Sequence, residues 1–153
     1  MVQLHSVPDQ TQVLDTMIRL TRLSLLQRAI IAGHDGMELY LGLRRRGFMR
    51  VAPLSMSRMR KRQHAIGLVA DRDPAAIEAA LGELSPFLGA QATVAILLDS
   101  ATSVGGHGVG SPGVEVRTKL QEMGFQIEAG VRCHQGFVLS ACRRGSSRIE
   151  RAA

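Results

Sequence analysis

Apolar side chains occur along this chain in two patterns, at the spacing typical of amphipathic helices and in short continuous runs typical of buried strands. Residues 9–26 place apolar side chains at helical spacing and are predicted to form an amphipathic helix, with Asp9, after Pro8, as its N-cap. The predicted apolar face consists of Val13, Leu14, Met17, Ile18 and Thr21. Residues 28–33 follow as a short apolar run that ends in glycine, which indicates a buried parallel strand.

Two later helices are predicted to end in the same way, at a glycine followed by a phenylalanine. One covers residues 36–46 and stops at Gly47, and the other covers 112–123 and stops at Gly124. Glycine can take the left-handed conformation that closes a helix, and the apolar residue after it packs back on the last turn. A candidate strand follows each of these helix ends, which is typical of the return from helix to sheet in a doubly wound fold.

The remaining pattern completes the predicted order of elements. Asp73-Pro74 and Ser111-Pro112 each place a capping side chain before a proline, an arrangement that begins a helix. The predicted helices cover 9–26, 36–46, 74–88 and 112–123, and the predicted strands cover 28–33, 49–54, 64–70, 93–99, 126–133 and 137–142. This order predicts a single three-layer α/β/α domain of Rossmann type over residues 1–153. Its mostly parallel sheet ends in an antiparallel C-terminal hairpin, and a basic, frayed tail occupies 145–153.

Length and composition are those of an ordinary globular chain. The 153 residues are 45% apolar and 21% charged, which is enough to bury a core. No apolar run is long enough to span a bilayer and the amino terminus lacks the pattern of a secretory signal, so we predict a cytoplasmic protein with no membrane partner. Cys133 and Cys142 are poorly placed for a bridge within the predicted hairpin and are expected to be reduced thiols.

Basic residues outnumber acidic ones, and many of them are clustered. The net charge of +6 comes from 19 basic and 13 acidic residues, and no acid lies between Glu38 and Asp71. The basic segment in that interval, residues 44–62, contains Arg44, Arg45, Arg46, Arg50, Arg58, Arg60, Lys61 and Arg62. Such a run can neutralise phosphates, so contact with an acidic partner or nucleic acid is one hypothesis. The alternative is a solvated loop with arginines that favour a helix macrodipole, and 3% aromatic residues offer little base stacking.

The order of elements between residues 28 and 144 carries a resemblance. It runs strand 64–70, helix 74–88, strand 93–99, a glycine-rich loop, helix 112–123 and a terminal hairpin, after the opening segment Ile30-Ile-Ala-Gly-His-Asp-Gly36. The closing part resembles the C-terminal half of class I S-adenosylmethionine-dependent methyltransferases, and the opening segment is similar to that family's first motif. The resemblance implies S-adenosylmethionine as a candidate cofactor, with Gly33, His34, Asp35, Gly36 and Asp71 as the residues that would bind it.

Three departures from that family's pattern bear on function. The family's turn is usually richer in glycine than Gly33-His-Asp-Gly36, because the backbone must approach the cofactor closely. The family's second strand commonly ends in an acid that holds the ribose hydroxyls, whereas Val51-Ala-Pro-Leu-Ser55 has none, and a whole β-α unit is missing before strand 64–70. The leading hypothesis is therefore a degenerate methyltransferase-like binding or regulatory module without a complete cofactor site. The alternatives are an active methyltransferase with an abbreviated site, in which Asp35 or Asp71 holds the cofactor, and a basic nucleic-acid-binding protein that uses residues 44–62.

Polar residues at the predicted strand ends form a candidate site, since ligands of open α/β sheets bind outside the carboxyl ends of the strands. The residues at these ends are His34, Asp35, Ser55, Asp71 and Asp99. Strand ends are also solvated and carry polar residues without any function, which is the plainer explanation. The loop from Gly105 to Gly113 contains a GxGxxG spacing that can present N–H groups to an anion or form a mobile loop beside a ligand.

Two further expectations concern metals and self-association. The histidines His5, His34, His64, His107 and His134 are scattered without metal-ligand spacing, so no metal site is predicted. The apolar face of the 9–26 helix either packs on the chain's own sheet or forms a homodimer contact. No pattern marks a nucleophile, and no catalytic residue is predicted.

Overall fold

Helices and strands alternate in the computed structural model, which describes residues 6–56, 62–71, 73–99, 112–133 and 136–143. The helices are α1 (Ser6–Thr21), α2 (Gly36–Arg45), α3 (Pro74–Leu84) and α4 (Pro112–Glu122). The strands are β1 (Ala29–Ala32), β2 (Val51–Pro53), β3 (His64–Ala70), β4 (Leu88–Asp99), β5 (Phe125–Cys133) and β6 (Gly136–Arg143). Single turns of 3₁₀ helix cover Leu54–Met56 and Ser85–Phe87.

The strands form one six-stranded sheet in the order β2-β1-β3-β4-β6-β5. The first four strands of the chain pair in parallel, whereas β6 is antiparallel to both β4 and β5. The predicted fold class is therefore confirmed: a mostly parallel sheet with an antiparallel C-terminal hairpin and an N-terminal helix. Because β1 lies between β2 and β3, the residues that follow β1 and β3 meet at one edge of the sheet.

Helices cover both faces of the sheet, and alternate residues of the buried strands point into two separate cores. In β1, Ile30 belongs to the buried cluster that includes residues of α3 and α4, while Ile31 belongs to the cluster that includes residues of α1 and α2. Both side chains are almost completely inaccessible to solvent. This two-sided burial explains why the central strands are continuous apolar runs, as in other sheets covered on both faces.

Helix α1 differs from its prediction at both ends. It begins at Ser6, so Asp9 lies inside the helix and the prediction of an Asp9 N-cap is wrong. It ends at Thr21 and not at residue 26, because Arg22 adopts a left-handed conformation with φ 56°. The Leu23 N–H then donates to the Ile18 carbonyl at 3.1 Å, which closes the helix in the geometry usually made by glycine.

The boundary between α3 and β4 also differs from the prediction, whereas the start of α3 is confirmed. Asp73 caps α3 by accepting the Ala75 N–H at 3.1 Å, with Pro74 in the first turn. The helix ends at Leu84, four residues early, because Pro86 lies in a 3₁₀ turn that leads into extended backbone at Leu88. Strand β4 therefore starts five residues before the predicted strand. The predicted tail, 145–153, lies outside the described residues.

Candidate functional site

The turn between β1 and α2 packs directly against the end of β3. Gly33 has a φ of +101°, and a Cβ atom at this position would overlap the Ala70 carbonyl oxygen and lie 2.7 Å from its carbon. Only glycine fits this position, because it lacks that atom and tolerates positive φ. The predicted glycine at the end of the first strand is thus needed for contact between two strand ends.

The carboxylate of Asp71 connects this turn to the start of α3. One oxygen accepts the His34 N–H at 2.8 Å, and the other accepts the Asp73 N–H at 3.2 Å. The His34 side chain is exposed, and Asp35 and Asp71 are half-buried. The structure therefore brings together Gly33, His34, Asp35, Gly36 and Asp71, the set for which the sequence suggested cofactor contact.

The backbone donors of this turn are used within the fold. The His34 N–H binds Asp71, the Asp35 N–H donates to the Ala70 carbonyl at 3.1 Å, and the Gly36 N–H donates to the Gly33 carbonyl at 3.0 Å. A glycine-rich turn holds an anion through N–H groups that point outward without an internal partner. In this turn, those three consecutive donors already have one.

The other predicted strand-end residues lie apart from this cluster or outside the described region. Ser55 is exposed in the 3₁₀ turn after β2, on the far side of β1 from Asp71. Asp99 is the last residue of β4, and only its backbone belongs to the part of the chain that the structure describes. Most of the glycine-rich loop, residues 105–111, also lies outside it, while Gly113 belongs to α4. The described part of β2 and its 3₁₀ turn contains no acid.

The described arginines of the basic segment lie at the opposite end of the parallel strands. Arg44 and Arg45 end α2, Arg50 immediately precedes β2, and Arg62 lies two residues before β3. These four side chains are exposed, whereas Arg46 is half-buried and paired with Asp15. Arg58, Arg60 and Lys61 lie outside the described residues. We call the described arginines, together with Arg28 before β1, the basic face.

His64, the first residue of β3, occupies a buried site that the sequence did not reveal. Its side chain is fully buried, and Nδ1 donates to the Phe87 carbonyl at 3.2 Å. Nε2 is also buried and has no hydrogen-bond partner. Burial lowers the pKa of His64 below its usual value, and Arg28 lowers it further, against the hydrogen bond to Phe87. A lone histidine at a strand start carries no sequence signal for such an environment.

Arg143, the last residue of β6, fastens the sheet to the end of α3. Its guanidinium donates to the Leu88 carbonyl at 3.2 Å and to Ser85 Oγ at 2.5 Å, and lies 4.7 Å from the centre of the Phe125 ring. Burial lowers the pKa of Arg143 from its usual value. Because its donors are directed at backbone and hydroxyl oxygens of the chain itself, Arg143 has a structural role.

The possible metal ligands and the two cysteines among the described residues do not form a common site. No group of three or more His, Cys, Asp or Glu side chains there is placed to hold a metal ion. Cys133 and Cys142 are free thiols, and Cys133 lies buried with Sγ 3.6 Å from Thr16 Oγ1. No described helix is both long and apolar enough to cross a membrane.

The apolar face of α1 is covered by the chain itself. Val13, Leu14 and Met17 are buried against the sheet and α2. Homodimerisation through α1 stays a prediction, although the apolar face on which it was based already has a partner within the chain.

No protein-family model and no curated protein sequence matches this chain. Solved structures do match it. A SAM-dependent methyltransferase from Aquifex aeolicus gives a TM-score of 0.54 at 14% identity, over 88% of this chain and 89% of that one. The magnesium protoporphyrin IX methyltransferase of Synechocystis PCC 6803, solved with bound SAM, gives 0.59 at 12% identity, over 89% and 80% of the two chains. The chain has the fold of a class I S-adenosylmethionine-dependent methyltransferase.

This methyltransferase fold does not by itself define a reaction. A cyclase, SpnF, is as similar as the methyltransferases, with a TM-score of 0.61 at 10% identity over 88% of this chain and 81% of that one. One fold hosts many activities, and function depends on the side chains placed on it.

The residues at the carboxyl edge do not fit S-adenosylmethionine well. The turn after β1 uses its His34, Asp35 and Gly36 N–H groups internally. The described end of β2 offers Ser55 where the methyltransferase family commonly has an acid for the ribose hydroxyls. Of the two acids in the predicted set, Asp71 holds backbone N–H groups of the protein itself, and Asp35 is half-buried in the turn after β1.

Proposed function

We propose that this chain is a methyltransferase-like binding or regulatory module that keeps the fold but lacks a complete cofactor site. The observation that carries the proposal is the internal use of the turn after β1. The His34 N–H binds the Asp71 carboxylate, and the Asp35 and Gly36 N–H groups bind backbone carbonyls, where a cofactor-binding turn would present its donors to the ligand. In this interpretation, the strand-end contacts stabilise the fold and do not perform chemistry.

The end of β2 supports the same proposal independently. A nucleoside ribose offers paired hydroxyls, and a carboxylate that accepts from both is the strongest neutral-pH partner for them. The described residues after β2 supply an exposed serine hydroxyl and no carboxylate. A single hydroxyl binds more weakly, because hydrogen bonds to charged groups are roughly twice as strong as neutral ones.

The proposal is tested by ligand-dependent thermal unfolding. The protein is heated with and without millimolar S-adenosylmethionine and S-adenosylhomocysteine, with the Synechocystis magnesium protoporphyrin IX methyltransferase, solved with bound SAM, as the positive control. A ligand present at 100 times its dissociation constant adds about 2.7 kcal/mol, which raises the midpoint by several degrees in a domain of this size. We expect no shift for this chain and a clear shift for the control.

A saturable shift with either ligand would overturn the proposal and favour the abbreviated-site methyltransferase. In that case, Asp71→Asn locates the ligand. The variant abolishes the shift if Asp71 contacts the cofactor and preserves it if the cofactor binds elsewhere. Glu83→Gln, an exposed acid on α3, is the matched control that leaves any shift unchanged.

A further inference from the structure

A tight turn between α1 and β1 presents two leucines to solvent. The Gln27 N–H donates to the Ser24 carbonyl at 3.2 Å, and the Ser24 N–H donates to the Gln27 side chain at 2.9 Å. Leu25 and Leu26 occupy the central positions of this turn and are 57% and 76% exposed. Those positions usually hold glycine, proline, asparagine, aspartate or serine. Both hydrogen bonds fix the turn, so the leucines protrude from a defined structure.

Met49 extends this apolar surface from the neighbouring connection. It is 60% exposed and lies two residues after Gly47. Gly47 is close to the leucine turn, because a Cβ atom built on Gly47 would lie 3.9 Å from Leu25 Cδ2. The Arg50 guanidinium donates to the Leu26 carbonyl at 3.2 Å, which joins the two connections. Leu25, Leu26 and Met49 are therefore exposed apolar residues on two connections that contact each other, and we call them the leucine patch.

Arginines are fixed at the edge of the leucine patch. Arg50 binds the Leu26 carbonyl, and Arg44 binds the Met49 carbonyl at 3.2 Å. Each guanidinium has five N–H donors, so these contacts leave others for a partner. Arg22 and Arg28 precede and follow the turn along the chain, and both are exposed. No acidic residue occurs between Asp15 and Asp35 or between Glu38 and Asp71, so both connections are purely cationic.

We propose that the leucine patch and the surrounding basic face dock on the surface of an anionic lipid bilayer. The leucines enter the boundary between headgroups and acyl chains, where burial of apolar surface favours binding. The arginines bind lipid phosphates and carboxylates, and each basic residue near an anionic surface adds to the attraction. A fluid bilayer accepts a protruding turn without a preformed pocket.

Charge and shape favour this occupant over others. A second copy of the chain would bring arginine against arginine on a two-fold interface, which is repulsive. Nucleic acid would satisfy the arginines but would leave exposed leucines without a role. The sequence prediction of no membrane partner rested on the absence of a spanning segment, and surface docking needs none. Because the patch lies at the opposite end of the parallel strands from Asp71, this proposal is independent of the proposed lack of a cofactor site.

Vesicle binding of the full chain tests the proposal. Co-sedimentation is measured with vesicles of phosphatidylcholine plus phosphatidylserine, and with phosphatidylcholine alone, at low and high salt. The double variant Leu25→Ser/Leu26→Ser keeps turn-compatible residues and is expected to weaken binding about tenfold or more. Arg50→Gln is expected to weaken it about fivefold. Val114→Ser and Arg117→Gln on α4 are matched controls, since both residues are exposed, and they are expected to bind as the unmodified chain does.

Three results would overturn the proposal. The first is no sedimentation with phosphatidylserine vesicles at low salt. The second is binding that Arg50→Gln weakens and the leucine variant does not, which indicates a general polyanion site such as one for nucleic acid. The third is vesicle binding that neither variant changes, which would place the lipid contact elsewhere. Binding that falls with both variants, falls at high salt and is weak on phosphatidylcholine alone supports it. A partner protein with an acidic pocket would give no vesicle binding at all.

Discussion

The carboxylate of Asp71, just after β3, accepts the backbone N–H of His34, just after β1, at 2.8 Å. The two residues are 37 positions apart in the chain, and the contact exists because β1 and β3 are neighbours in the sheet. The other Asp71 oxygen accepts the Asp73 N–H at the start of α3. One side chain therefore connects two strand-to-helix turns.

Loss of the Asp71 carboxylate is expected to destabilise the fold. Asp71→Ala removes the acceptor of two exposed backbone donors, which water replaces in part, so the free energy of unfolding should fall by about 0.5–1.5 kcal/mol. Urea denaturation measures this change, and Glu83→Ala, at an exposed site on α3, should stay within about 0.5 kcal/mol of the unmodified chain. Unchanged stability in Asp71→Ala would contradict the expectation that these two hydrogen bonds stabilise the fold.

Three glycine substitutions separate steric overlap from backbone strain. Gly33→Ala should lower the free energy of unfolding by at least about 2 kcal/mol, because the new Cβ meets the Ala70 carbonyl and φ is positive. Gly124→Ala keeps only the positive φ, with no atom near the new Cβ, and should cost about 1 kcal/mol. Gly82→Ala, in α3 with open space, should stabilise by about 0.5–1 kcal/mol. Denaturation midpoints in any other order would contradict this ranking.

Local sequence signals predicted the helix ends that depend on glycine. Gly47 and Gly124 both have positive φ, at 92° and 85°, and both follow the predicted helices. The same closing geometry at the end of α1 uses Arg22, which has no special propensity for it, so the end of α1 was placed too late. The prediction of Asp9 as the N-cap was wrong because α1 begins at Ser6, before the first residues of the apolar pattern from which its start was inferred.

The candidate site was predictable in position but not in its bonding. The carboxyl ends of parallel strands share an edge, so His34 and Asp71 could be placed together from the order of elements alone. Which donors each acid accepts depends on the adjacency of β1 and β3 and on side-chain geometry at a few ångströms. The buried environment of His64 was missed for a similar reason, because a strand-start histidine looks the same in sequence whether it is solvated or enclosed.

His64 should make stability depend on pH. Its folded-state pKa is lowered from the usual 6.5, chiefly by burial, with Arg28 acting in the same direction. As pH falls below the unfolded value, the unfolded chain takes up a proton that the folded chain does not, so the free energy of unfolding decreases until the folded pKa is passed. The slope approaches about 1.4 kcal/mol per pH unit at most.

Urea denaturation between about pH 5 and 8 measures that slope. His64→Gln keeps an N–H donor for the Phe87 carbonyl but does not titrate, so the decrease toward low pH should become smaller. Ser55→Ala, at an exposed residue without a titratable side chain, is the control and should keep the slope of the unmodified chain. An equal slope in His64→Gln and the unmodified chain would assign the pH dependence to other groups.

Arg143 is expected to matter through its geometry and not only through its charge. The guanidinium reaches the carbonyls of Ser85 and Leu88, the Ser85 hydroxyl and the face of Phe125, which joins β6 to the connection between α3 and β4. Arg143→Ala should lower the free energy of unfolding by about 2–4 kcal/mol, because partly buried oxygens lose a charged donor. Arg143→Lys should recover only part of that loss, since an ammonium cannot reproduce the planar fork or its stacking on the ring.

The control for these two variants is Arg132→Ala, at an exposed arginine on β5, which should change stability by less than about 0.5 kcal/mol. If Arg143→Lys matched the unmodified chain in denaturation midpoint, charge alone would explain the role of Arg143 and the directed hydrogen bonds would be incidental.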